Sequence, residues 1–141
     1  MEGLIIVLLL VFIAILIVPM VFFLLQLQKL LKTCSPENRK MEPGMVWLNL
    51  IPLFSLGWIF YTIIQIRDTL KLEFHTRSLE TDNPEFHFPL GLTYAILNAC
   101  SFVLGWIPIL GWMIGIAGLV LFIMYWIKMY NYTSILLNSN N

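Results

Sequence analysis

The sequence predicts an all-α integral membrane protein, a helical bundle with four membrane-embedded segments in one domain covering residues 1–141. Composition is the first reason. Hydrophobic residues make up 60% of the 141 residues and charged residues only 11%, whereas soluble domains average about 45–50% and about 25%. A soluble chain of this size needs polar side chains to cover its surface, and lipid removes that need. The second reason is that the charge-free runs are long enough to cross a bilayer.

The first segment is predicted over residues 3–32. Residues 3–28 carry no charge, and a helix of 26 residues measures about 39 Å, which exceeds the roughly 30 Å of a hydrocarbon core. Pro19 lies inside this run and predicts a kink. Because no lysine or arginine precedes Lys29, we interpret the segment as a retained helix rather than a cleaved signal peptide. Its branched and aromatic side chains are expected to face lipid.

The second segment is predicted over residues 44–66, with an amphipathic helix continuing to residue 78. Polar and helix-breaking residues are concentrated around Pro52, where a regular span would be most apolar. This cluster predicts a turn at Pro52 to Ser55. After residue 66, apolar residues recur at helical spacing and charged residues form two pairs at helical spacing, Asp68 with Lys71 and Glu73 with Arg77. The extension is therefore expected to lie on, or just beyond, the inner membrane surface.

The last two segments are predicted over residues 87–105 and 110–130. The uncharged run from residue 86 to residue 127 is long enough for two spans. Glycine and proline cluster within it only at residues 105–111, so Pro108 is expected to mark the turn between the two spans.

Two topologies are compatible with this pattern. If all four segments span, the eight lysines and arginines divide into four on each side, which is unusual for a stable orientation. If the second segment is a re-entrant hairpin, all eight lie on the cytoplasmic side. We favour the hairpin, with four full spans as the alternative. Both topologies place the N-terminus outside the cell inner (plasma) membrane, and the favoured one places both connectors in the cytoplasm.

Small residues predict close packing between the third and fourth segments. In membranes, small side chains allow two helices to approach closely. Each of the two segments carries a stripe of such residues at intervals of three or four positions, and we expect the two stripes to face each other. The residues are Gly91, Ala95, Ala99, Gly111, Gly115 and Gly118.

Among the uncharged polar residues of the predicted membrane zone, Asn49 and Asn98 are the strongest hydrogen-bonding groups, and Ser101 lies near Asn98. Such groups usually form hydrogen bonds between helices, and we favour that role over lining a pore. No Asp, Glu, Lys or Arg lies within an apolar run, whereas transporters and proton relays usually carry one. We therefore expect neither a catalytic site nor a cofactor, and the protein is not predicted to be an enzyme.

A repeated tripeptide offers the weakest functional alternative, a membrane-bound metal-dependent enzyme. The sequence Glu-Phe-His ends at His75 and again at His87. Compact metal sites place their ligands closer than this spacing of twelve residues, so we predict no metal. Nucleic acid is also excluded as a partner, because the net charge is zero and phosphate binding requires a basic face.

The chain resembles a family of short, uncharacterised bacterial multi-span membrane proteins. The resemblance rests on residues 43–54, which read PGMVWLNLIPLF and fit the pattern P-G-x-V-W-L-x-L-I-P-L-F, and on the later IPILG turn at residues 107–111. It implies a bacterial inner-membrane setting and no particular activity. The function expected from the sequence is that of a structural, accessory or interaction subunit, whose partners are the lipid bilayer and itself or another membrane protein. The alternative is a homo-oligomeric channel or pore.

Overall fold

The computed structural model describes residues 1–51 and 53–139, and in that part of the chain it contains five helices and no strand. Two of the helices, the first and the last, are long and apolar enough to cross a membrane, and the fourth is a shorter apolar helix. The helices are α1 (Glu2–Thr33), the 3₁₀ helix η1 (Pro43–Leu50), α2 (Phe54–Thr76), α3 (Phe88–Leu104) and α4 (Pro108–Ser139).

The second predicted segment is divided into two helices that fold back on each other. Hydrogen bonds pair Ser35 with Glu73, Lys40 with Thr69 and Met45 with Trp58, so the stretch 35–45 runs antiparallel to α2. Both connectors, residues 34–42 and 77–87, therefore lie at the same end of the bundle. Pro52, the predicted turn residue, lies outside the described residues. These bonds run from Ser35 N to Glu73 Oε2 (3.0 Å), from Lys40 N to Thr69 Oγ1 (3.0 Å) and from Trp58 Nε1 to Met45 O (2.9 Å). A further bond, from Asn49 Nδ2 to Thr62 Oγ1 (3.0 Å), joins η1 to α2.

The two halves of α1 have different environments. Residues 2–19 are exposed on every side. The second half instead carries a fully buried stripe that packs into the bundle, because its leucines recur at helical spacing on one face. The buried residues of α1 are Phe23, Leu24, Leu27, Leu30 and Leu31. Pro19 lies in a continuous helix at the border between the two halves.

The turn between α3 and α4 lies where the sequence predicts it. α3 ends at Leu104, and α4 begins at Pro108, whose fixed φ suits the first position of a helix. The turn is tight: a Cβ on Gly111 would lie 3.1 Å from the Cα of Gly105. Gly111 therefore packs against the turn, and not against the small residues of α3 as expected.

The contact between α3 and α4 differs in detail from the predicted pairing of small residues. A Cβ on Gly91 would lie 2.7 Å from the Tyr125 ring, and Ala95 is fully buried, so the start of α3 does pack closely. Ala99 is half-buried, and Gly118 only touches Leu97 at 4.0 Å. No described atom lies within 4 Å of a Cβ placed on Gly115. The stripes do not interlock along their length, because the Tyr125 ring, rather than a glycine, fills the space beside Gly91.

α4 continues nine residues beyond its predicted end at residue 130, so residues 131–139 are also helical. Their apolar side chains explain this. Tyr132 and Leu136 are buried in the core together with Thr133, so tertiary packing stabilises a segment whose composition looks polar.

A Schellman motif ends α2. The backbone N–H of Ser78 donates to His75 O at 3.2 Å, and that of Leu79 donates to Phe74 O at 2.9 Å, which is the double hydrogen bond that defines the motif. Ser78 has a φ of 55°, a left-handed conformation that glycine adopts more readily than serine. Leu79 packs against the core beside this turn.

Candidate functional site

The most elaborate polar cluster is centred on Glu73, a residue of α2 whose side chain is completely buried. Its carboxylate accepts four hydrogen bonds. The donors come from the 34–42 connector and from the next turn of α2. They are Ser35 N (3.0 Å), Ser35 Oγ (3.2 Å), Asn38 Nδ2 (2.8 Å) and Arg77 Nε (2.6 Å).

Arg77 extends this cluster to the ends of two other helices. Its guanidinium donates to Thr33 O at the end of α1 at 3.0 Å. It also donates to Leu136 O at 2.8 Å and to Ser139 Oγ at 2.7 Å at the end of α4. One ion pair thus joins α1, the 34–42 connector, α2 and α4. Because a buried charge requires partners for its polar atoms, these seven bonds explain why the pair tolerates burial.

The electrostatics of the cluster favour a permanently ionised carboxylate. Burial alone raises the pKa of Glu73, but the hydrogen bonds from Asn38, Ser35 and Arg77 outweigh it, so the pKa lies below the ordinary value of 4.5. The neighbouring Cys34 is also buried. Burial and the negative charge of Glu73 raise the pKa of its thiol to about 12, so Cys34 remains a protonated, weakly nucleophilic group at neutral pH.

The chemistry of this cluster is structural. Its carboxylate has no exposed surface and accepts bonds from four donors, so it cannot meet a solute without breaking the bundle. The predicted amphipathic extension after residue 66 turns its apolar face inward, because Ile66, Leu70 and Phe74 are buried within the bundle. The Glu73–Arg77 pair at helical spacing is confirmed.

A second, more exposed charge cluster joins α2 to the connector before α3. Lys71 Nζ lies 3.0 Å from Glu85 Oε1, and Arg67 lies 3.8 Å from the same carboxylate. Arg67 also lies 4.2 Å from the centre of the Phe88 ring. The predicted pair of Asp68 with Lys71 does not form: Asp68 pairs with Arg67 at 3.1 Å, because the fold brings Glu85 across to Lys71. Such exposed pairs each contribute about 0–1 kcal/mol.

Asn49 holds η1 against α2. It is 4% exposed, and its Nδ2 donates both to Val46 O and to Thr62 Oγ1, each at 3.0 Å. This arrangement fits the interhelical role favoured from the sequence. Its Oδ1 has no hydrogen-bond partner among the described residues, so one acceptor in the fold-back is left unsatisfied.

Asn98 and Ser101 lie apart from Asn49, on α3, where both are half-buried. They line a groove of about 250 Å³ that Pro19 of α1 and Gly115 of α4 also border. The remaining wall is almost entirely apolar. With Gly118, which also lines it, the structure therefore brings five of the predicted residues together around one groove, in the half of the bundle where α1 is exposed.

The two histidines of the repeated tripeptide have different environments. His75 is exposed near the end of α2, whereas His87 is half-buried, 3.2 Å from Asn83 Nδ2. Within residues 1–51 and 53–139, no group of three or more His, Cys, Asp or Glu side chains is placed to hold a metal ion.

The sequence contained a signal for the Glu73–Arg77 cluster that the prediction did not use. Glu73 and Arg77 continue the stripe of Ile66 and Leu70, at positions i, i+4, i+7 and i+11 of one helix. A charge on an apolar stripe is a candidate for burial with a partner.

Comparison with known proteins adds no further information, because no family model, curated protein or solved structure matches this chain.

Proposed function

We propose that this chain is a multi-pass protein of the bacterial inner (plasma) membrane that acts as a structural, accessory or interaction subunit. One observation carries the proposal: residues 2–19 form a helix that is apolar and exposed on every side. Water would not tolerate so large an apolar surface, whereas lipid or a neighbouring membrane helix covers it at no cost. The resemblance of residues 43–54 to bacterial membrane proteins supports the setting.

The proposed topology has three spans, α1, α3 and α4, and a re-entrant hairpin made by η1 and the start of α2. The fold-back supports it, because it brings both connectors to one end of the bundle. All eight basic residues lie in or beside that end, and the turn between α3 and α4 contains none. Basic residues favour the cytoplasmic side, so the connectors are assigned to the cytoplasm and the N-terminus to the outside.

The proposed role follows from which polar groups are already engaged. The buried ion pair and Asn49 hold the helices of this chain to each other, which leaves the exposed apolar surfaces, that of α1 among them, available to partners. The favoured partners are the lipid bilayer together with a second copy or another membrane protein. Neither an enzyme activity nor a cofactor forms part of the proposal.

Single cysteines in a background lacking Cys34 and Cys100 test the topology. Replacements at Glu37 and Glu80, which are exposed on the two connectors, and at Trp106, which is exposed in the α3–α4 turn, are treated with a membrane-impermeant maleimide. In intact spheroplasts we expect labelling at Trp106→Cys alone, and labelling at both connectors after permeabilisation. Labelling of the two connectors from opposite sides would contradict the hairpin and favour four full spans.

Photo-crosslinking tests the role. A benzophenone side chain at Phe12, which is 58% exposed on α1, is compared with the same group at Phe23, which is fully buried. We expect a crosslinked protein product of one defined mass at position 12 and not at position 23. If position 12 yields only lipid adducts, α1 is a passive anchor and the interaction role fails.

The groove beside Asn98 and Ser101 favours one second candidate, a homo-oligomeric channel. Two polar side chains on a membrane-embedded helix can line a pore when several copies bring them together. Asn49 does not belong to this lining, because it is bonded inside the fold-back. An oligomer of constant size in mild detergent and ion flux in liposomes that Asn98→Leu abolishes would support the channel; a monomer or dimer without flux would eliminate it.

A further inference from the structure

A basic groove lies where α1 passes from its apolar stretch to its polar end. The groove measures about 540 Å³ and lies between α1 and the end of α4. Its two lysines, Lys29 and Lys32, are exposed, and neither takes part in an ion pair within the described chain. The lining residues are Leu25, Gln28, Lys29, Lys32, Thr33 and Leu137.

One face of α1 changes from apolar to basic along this groove. Phe22, Leu25, Lys29 and Lys32 occur at i, i+3, i+7 and i+10, so they share a helix face. Phe22 and Leu25 are 56% and 43% exposed. Ten residues of helix span about 15 Å, a length over which a phospholipid also changes from acyl chain to charged headgroup.

The end of α1 that presents the lysines is held in place. Trp47 Nε1 donates to Gln28 Oε1 at 3.4 Å. Arg39 donates to Leu31 O at 2.6 Å and to Lys32 O at 2.8 Å, which satisfies two carbonyl groups at the helix end. The groove is therefore preformed, and preorganisation lowers the entropic cost of binding.

We propose that this groove binds one anionic phospholipid, with its phosphate between Lys29 and Lys32 and an acyl chain along Phe22 and Leu25. Ammonium groups bind phosphate as point charges, and no carboxylate lines the groove to compete. The proposal rests on the membrane placement argued above, because it needs this level of α1 to lie at the headgroups.

Native mass spectrometry of the full chain in mild detergent tests the proposal. The protein is titrated with dioleoylphosphatidylglycerol and with dioleoylphosphatidylcholine. We expect preferential binding of one phosphatidylglycerol. In the double variant Lys29→Gln/Lys32→Gln that binding is expected to weaken about 30-fold, since each lysine near a membrane surface contributes roughly fivefold.

Lys128→Gln is the matched control. It removes one positive charge from α4, by the same type of substitution, in a different groove that Glu80 and Asp82 also line, and we expect binding within twofold of the unmodified chain. Circular dichroism confirms that each variant is folded. An undiminished affinity in the double variant, or an equal loss in Lys128→Gln, would overturn the proposal.

Inorganic phosphate separates a lipid site from a site for free phosphate. We expect 10 mM phosphate to leave the bound phosphatidylglycerol in place; its displacement would overturn the lipid assignment. Failure of the membrane placement itself has a different signature, a chain that is folded and monodisperse in buffer without detergent.

Discussion

Replacing Glu73 with glutamine tests how far the buried ion pair holds the bundle together. The substitution keeps the size of the side chain and removes its charge. One carboxylate oxygen becomes an NH₂ group, which is a donor. Both oxygens of Glu73 face donors: Oε1 faces Ser35 Oγ and Arg77 Nε, and Oε2 faces Ser35 N and Asn38 Nδ2. Whichever oxygen the NH₂ group replaces, it faces two donors that previously bonded to an acceptor at that position. Donor then faces donor, and those two hydrogen bonds are lost.

The expected loss of stability follows from the surroundings of Arg77. Removing one partner of a buried ion pair typically costs 3–5 kcal/mol, because the other charge is left uncompensated. The Arg77 side chain is 17% exposed and keeps its three other oxygen acceptors, on Thr33, Leu136 and Ser139. The cost should therefore lie at the lower end of that range, about 3 kcal/mol in the free energy of unfolding.

Chemical unfolding in detergent micelles at pH 7.5, followed by circular dichroism, measures this change. Glu80→Gln is the control, because Glu80 is an exposed carboxylate on the adjacent connector, and we expect it to alter stability by less than about 0.5 kcal/mol. A Glu73→Gln variant as stable as the unmodified chain, or a Glu80→Gln variant that loses as much, would refute the reasoning.

Three further predictions concern stability. Ser78→Gly should stabilise the chain by about 1 kcal/mol, because glycine adopts the left-handed conformation without the steric cost that serine bears. Gly91→Ala should destabilise it by about 1–3 kcal/mol, because the new methyl group would overlap the Tyr125 ring at 2.7 Å and contact Ile63 at 3.0 Å. The stabilisation from Glu73 should be complete above pH of about 4.5, and should be lost as the pH falls through the lowered pKa of the group.

Each of these predictions has a matched control. Ser134→Gly, inside α4, should destabilise by about 0.5–1 kcal/mol, so a gain there or a loss at Ser78 would contradict the argument. Gly115→Ala, where the added carbon meets open space, should stabilise the chain by up to about 1 kcal/mol, because alanine favours a helix interior over glycine; a loss as large as that at Gly91 would remove the steric explanation. In Glu73→Gln the free energy of unfolding should vary less with pH below about 4.5. If it varies as much as in the unmodified chain, groups other than Glu73 cause the dependence.

The helical class could be predicted because composition and long uncharged runs are properties of the whole chain. The turn before Pro108 was also predictable, since glycine and proline limit backbone conformations locally. The re-entrant hairpin rested on the positions of the positive charges rather than on any local preference, and it stays a prediction.

The burial of Glu73 could not be predicted by reading the chain locally. Its partners Ser35 and Asn38 lie 38 and 35 residues away, and an isolated charge pair at helical spacing is usually solvated. The predicted pair of Asp68 with Lys71 does not form for a related reason, because the tertiary fold places the carboxylate of Glu85 next to Lys71. Helix packing is equally hard to predict from the sequence. A small residue such as Gly115 allows another helix to approach closely, but its presence does not mean that one does.

The order in which the chain is synthesised gives the Arg77 cluster a further consequence. Its acceptors on Leu136 and Ser139 follow Arg77 by 59 and 62 residues, which a ribosome adds in roughly 3–12 s. During that interval only Glu73 and Thr33 can engage the guanidinium. The guanidinium can therefore join α1 to α2 before α4 exists, and its bonds to Leu136 and Ser139 can form only once α4 has been synthesised.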